Sequence, residues 1–114
     1  MVDRELYTTD EEYSEKMLLA KVLKYPEERD SLRLDSKHFS DARHGAIYDK
    51  ILNDRTFTKE LLLNDSLTNP QLYGNFEFVR SVTDFPIPTK HGVTNDQKTV
   101  YDMYKRREEN KIMK

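Results

Sequence analysis

Residues 14–27 read SEKMLLAKVLKYPE, residues 37–52 read KHFSDARHGAIYDKIL, and residues 74–82 read GNFEFVRSV. Around the first stretch, Tyr13, Met17 and Ala20 form one row at helical spacing. Leu18, Val22 and Tyr25 form another, with Leu19 and Leu23 beside them. Apolar residues three and four apart share a helix face, so two adjoining rows make a broad stripe that needs burial on more than one side. Thr9 followed by Glu12 is a capping-box pattern, which predicts a helix start near Asp10 with acids in the first turn. Pro26 stops this helix or opens a short turn after it.

Working outward, Asp41 is placed to cap a second long helix in which Ile47 and Ile51 stack beside Tyr48 and Leu52. Thr58 caps a short helix holding Leu61, Leu62 and Leu63, and Asn69-Pro70 punctuates the chain after it. Gly74 and Asn75 open a further helix that aligns Phe76 with Val79 and Phe78 with Val82. PIPTKHG, residues 86–92, is a loop, because prolines at alternate positions forbid regular structure. Thr94 or Asn95 caps a last helix with Val100, Met103 and Tyr104 on one face. The expectation is one all-α domain: a compact helical bundle over about 10–68, then a helical hairpin over about 74–112.

Composition agrees. The chain has 114 residues, enough for one domain with a single small core, and 36% hydrophobic against 35% charged residues makes that core lean. Three Gly and four Pro argue against a many-turned sandwich or barrel. A net charge of −2 supplies no general field toward nucleic acid. Charge is uneven, however: Asp3, Glu5, Asp10, Glu11 and Glu12 load the head, and Lys105, Arg106, Arg107, Lys111 and Lys114 load the tail. With no Cys, neither a disulfide framework nor a thiolate metal site is available. The first residues hold no apolar signal segment, and no apolar run reaches a membrane-spanning length, so the expected setting is the cytoplasm.

In their order, these segments resemble the N-terminal collar domain of DnaB-type hexameric replicative DNA helicases, which interacts with primase. That family opens with a helix of pattern E-x-x-apolar-L-G; Glu15, Leu18, Leu19 and Ala20 stand at those places, followed by Val22, Leu23 and Glu27. It continues with a polar residue before Phe and then H-x-x-I-aromatic, as in His38-Phe39 and in His44, Ile47 and Tyr48. Thr56, Phe57 and Thr58 are loosely similar to its next capped turn. Its Gly-Gly-Phe-x-aromatic-Leu is matched by Gly74, Asn75, Phe76, Phe78 and Val79. Pro86 and Pro88 stand at its hairpin turn, and Met103, Tyr104, Lys105 and Arg106 in its second arm. Ala20 replaces the family glycine, the stretch from Ile51 to Gly74 is shorter, and the proline loop is longer.

The resemblance implies a non-catalytic domain that builds dimers, forms a trimer of dimers above a motor ring, and docks primase or a helicase loader. It places the dimer or partner interface on Phe76, Phe78, Val79, Val82, Val100, Tyr101, Met103 and Tyr104, with the two arms facing each other. No P-loop motor is expected in this chain, so no ATPase activity, catalytic residue, cofactor or metal. A stand-alone phage or plasmid replication factor imitating the collar is the alternative, or a small helical nucleic-acid-binding protein. In the last case Lys105, Arg106 and Arg107 meet phosphate and Tyr101 and Tyr104 help. Otherwise DNA contact is indirect or weak, and no membrane is involved.

Other chemistry is weaker on residue grounds. Gly92 to Thr99 differs from a phosphate-binding P-loop in having Gln97 where the second glycine lets the backbone wrap phosphate, and no strand precedes it. His38, His44 and His91 are not at metal-ligand spacing, which makes them structural histidines, His44 near its helix start. Glu11-Glu12 and Glu108-Glu109 are neighbours that point about 100° apart on a helix, unlike the converging carboxylates of acid–base catalysis.

Overall fold

The computed structural model describes residues 10–87 and 92–112. Thr9, Pro88, His91, Lys114 and the head residues Asp3 and Glu5 lie outside the described residues. The described chain is all-helical. The α-helices are α1 (Asp10–Lys24), α2 (Ala42–Asn53), α3 (Lys59–Thr68), α4 (Pro70–Tyr73), α5 (Phe76–Thr83) and α6 (Thr94–Ile112). Two 3-10 turns, Pro26–Ser31 and Ser36–His38, lie between α1 and α2.

Local chemistry sets most of the starts. The Asp41 carboxylate accepts from the Arg43 N–H, the Thr58 hydroxyl from the Leu61 N–H and the Asn75 amide oxygen from the Phe78 N–H, each satisfying a donor the first helical turn cannot pair. Pro26 opens the first 3-10 turn, and Pro70 opens α4 rather than ending structure, since a first-turn proline gives up no helical hydrogen bond. In α6 the first ladder bond runs from the Gln97 N–H to the Val93 carbonyl at 2.9 Å. Val93, buried, therefore holds the flanking position expected of Thr94 or Asn95. Arg29 closes the far end of α1: its guanidinium donates to the Val22 carbonyl at 2.9 Å.

The double apolar stripe makes α1 the central helix. It packs on α2, α5, α6 and the first 3-10 turn, and Leu18, Leu19 and Val22 are fully buried. One core joins them to Ile47, Tyr48, Ile51, Phe57, Leu62, Val79, Val82, Val93 and Val100, so residues from both expected halves share it. Helices α1 and α6 run antiparallel, pinned by Lys21–Asp96 at 2.8 Å near one end and Glu11–Arg107 near the other. The two helices expected to face each other as hairpin arms, α5 and α6, each pack on α1 and make no extended contact with one another. The reason lies in α1, whose broad apolar stripe offers both of them burial.

Tyr48, wholly buried, donates its hydroxyl to the Leu34 carbonyl at 2.9 Å and so ties α2 to the loop before it. Burial pushes its phenol from 10.0 up to about 12. A folded value above the unfolded one means that the stabilisation is complete below pH 10 and is lost as pH rises toward 12. At about 1.4 kcal/mol per pH unit the loss is roughly 2–3 kcal/mol. Tyr48→Phe should remove that part of the alkaline decline in a series of urea titrations.

Candidate functional site

Three of the quoted stretches meet in one place. Glu15 of α1, only 2% exposed, accepts from two donors. The Ser40 N–H reaches Oε2 at 2.6 Å, and His44 Nδ1 at the start of α2 lies 2.8 Å from Oε1. Both side chains of the pair are nearly inaccessible to water. An ionised carboxylate only accepts, so this contact sets the proton of His44 on Nδ1. His44 Nε2 is the buried side-chain nitrogen or oxygen without a hydrogen-bond partner among the described residues.

The third stretch closes over this pair. The Phe78 ring of α5 stacks on His44, with centroids 5.3 Å apart and planes 25° from parallel. The Arg43 guanidinium lies 3.6 Å from the centre of the same ring and the Lys16 ammonium 5.4 Å, so the negative π-face meets two cations. Burial pushes the Lys16 ammonium below its ordinary 10.5, against Glu12 and Asp41. Burial also pushes the Asp41 carboxyl up, but the side-chain and main-chain hydrogen bonds from Arg43 together hold it below 3.8. Gly74, with φ +94°, lets the chain pass close by: a Cβ there would stand 2.5 Å from Phe78 Cδ2 and 3.1 Å from Arg43 Cδ.

The residues expected at a partner surface divide. Val79, Val82 and Val100 are fully buried in this chain's own core. Phe78 packs against the core as just described, and Met103 and Tyr104 are half-buried. Phe76 on α5 and Tyr101 on α6 are the ones that open to solvent, 39% and 42% exposed. Leu61, Leu67 and Leu72, at 45%, 64% and 49%, are exposed as well, and periodicity did not single them out.

The basic residues of the last helix divide too. Arg107 pairs with Glu11 and donates to the His38 carbonyl at 3.1 Å, which makes it a clamp between α6, α1 and the second 3-10 turn. Lys105 and Arg106 are exposed. His38 accepts the Asp35 N–H on Nδ1 at 2.9 Å and meets the rings of Tyr101 and Tyr104 edge-on at 5.4 and 4.7 Å.

Gln97 has a different part from the P-loop position it occupies by spacing. Its buried side-chain oxygen accepts the Arg33 N–H at 2.6 Å and its nitrogen donates to the Ser31 carbonyl at 2.9 Å. One amide thereby fastens the loop between the two 3-10 turns onto α6. Gln97→Ala is expected to lower the unfolding free energy by about 1–3 kcal/mol, because both loop groups lose their partner. Urea denaturation measures it.

What these residues do chemically is join elements and present surface. Glu15, His44 and Asp41 are engaged in fixing helix ends and in hydrogen bonds within the fold. Among the described residues no three of His, Cys, Asp or Glu stand so as to hold a metal, and no helix is long and apolar enough to cross a membrane. Compared with protein-family models, with curated proteins and with solved structures, the chain matches none.

Proposed function

We propose that this chain is a non-catalytic assembly and docking domain of the replicative-helicase collar type. It associates with copies of itself, and it docks primase or a helicase loader in DNA replication. The observation that carries the reading is the convergence of Glu15, His44, Gly74 and Phe78. They come from three motifs of the resemblance, far apart in sequence, and they meet as one buried junction. Residues that must fit one another are held at their spacings by the fold, which gives the ordered motifs a common physical cause. On this reading the chain acts through its surfaces and hydrolyses no ATP. A stand-alone replication factor built on the same domain uses the same surfaces.

A second reading, direct nucleic-acid binding, has Lys105 and Arg106 in its favour, since both are exposed. Titration of the full chain against the C-terminal domain of a primase and against a helicase loader, with a single-stranded oligonucleotide in parallel, tests the two together. Saturable protein binding without oligonucleotide binding is the expected result. Oligonucleotide binding alone, abolished by Lys105→Glu with Arg106→Glu, selects the second reading.

A further inference from the structure

Between the loop that Gln97 fastens and the outer face of α6 runs an open groove of about 600 Å³, lined by Arg33, Leu34, His38, Lys98 and Tyr101 among others. Of these, Leu34 is buried and Tyr101 is exposed. The Tyr101 ring is preset by His38 at 5.4 Å and Tyr104 at 6.2 Å, so a ligand that covers it orders little further. Lys105, one turn on, holds its ammonium 5.9 Å from the same ring.

The charges beside this apolar strip are uneven. Lys98 pairs with Asp102 at 3.0 Å. Arg33 donates only to main-chain carbonyls, of Asp30 at 3.0 Å and Leu32 at 2.9 Å. Neither Arg33 nor Lys105 has a carboxylate partner among the described residues. Two cations without counter-charges among the described residues thus accompany an aromatic and aliphatic strip.

We propose that this groove docks an acidic peptide segment of a partner protein, in which carboxylates flank one aromatic or large aliphatic residue. The apolar residue covers Leu34 and the Tyr101 ring, and the carboxylates meet Arg33 and Lys105. Charge complementarity chooses the occupant. A phosphate backbone is held by several cations in a row, and here Asp102, paired with Lys98, interrupts the row before Lys105. An acidic segment with a single apolar residue needs only the two free cations and one apolar seat. The groove gives the docking role above a location and a partner chemistry. It rests on that reading, but its test is separate, because the reading itself is tested with no peptide present.

The probe is a fluorescein-labelled peptide in which Asp and Glu residues flank a central Phe-Leu pair, titrated with the full chain and followed by anisotropy. Saturable binding that weakens as salt rises is expected. Arg33→Glu with Lys105→Glu should weaken it about tenfold or more, and Tyr101→Ala by a similar factor. Lys59→Glu on α3, a remote exposed charge, should change it by less than about twofold. Lys105→Glu alone, on an exposed site, keeps the test valid should Tyr101→Ala disturb the helix signal in circular dichroism. The proposal is overturned if no saturable binding occurs, or if a peptide with Asn and Gln in place of the acids binds equally. It is overturned equally if the groove variants bind like wild type, or if a single-stranded oligonucleotide displaces the peptide and binds more tightly through the same residues.

Discussion

Glu15→Ala is expected to destabilise the chain by about 2–4 kcal/mol, because it removes a buried acceptor that joins α1 to α2. Two groups lose their acceptor at once: the Ser40 N–H, at 2.6 Å from Oε2, and the His44 ring nitrogen, at 2.8 Å from Oε1. The His44 ring is fully buried and cannot turn to water, and an orphaned buried group costs about 1–3 kcal/mol, whereas Ser40 is exposed and its N–H loses less. Glu15→Gln should lose about half as much, since an amide offers one acceptor oxygen and the imidazole can move its proton to match the amide N–H. Removing both partners, as in Glu15→Leu with His44→Leu, should not restore full stability, because the Ser40 N–H is still left without its acceptor. Guanidinium titrations of the four proteins measure the set. Equal stability of Glu15→Ala and wild type would mean that the junction is not holding α1 to α2.

Gly74→Ala is expected to cost about 2–5 kcal/mol, combining backbone strain at positive φ with a clash. The clash is with Phe78, whose Cδ2 and Cγ lie 2.5 and 2.9 Å from the place a Cβ would take, and that ring is held between Arg43 and His44. Gly92 supplies the control. Its φ is +119°, yet among the described residues nothing lies within 4 Å of its would-be Cβ, so Gly92→Ala should carry only the strain, about 1–2 kcal/mol. The difference between the two substitutions in the same titration reads the packing at the junction alone.

Helix positions and caps were legible in the sequence because they depend on neighbours. Asp41, Thr58 and Asn75 each satisfy an N–H within three residues, and such pairs recur wherever these side chains precede an apolar period. The breadth of the α1 stripe announced burial on several sides, and α1 is the helix that α2, α5 and α6 all touch. Periodicity does not say which partner takes which side. The resemblance, not periodicity, implies that α5 and α6 face one another, whereas each packs on α1.

Long-range polar partners were hidden for the same reason. Glu15 and Gln97 are ordinary helix residues by pattern, and only the fold brings them to Ser40 and His44, and to Ser31 and Arg33. Arg107 stood in a basic run, and what decides its role is Glu11, 96 residues away in the chain. A short helix such as α4, opened by Pro70, looks like a break in the sequence, because proline marks the first turn of a helix and the end of one with the same letter.

Self-association is the part of the proposed function that no single helix can supply, and multi-angle light scattering of the full chain across a concentration series reads it most directly. A mass that rises from the 13.6 kDa of one chain toward that of a dimer or larger assembly is the result the assembly-domain account predicts. A mass that stays at 13.6 kDa at every concentration would contradict it.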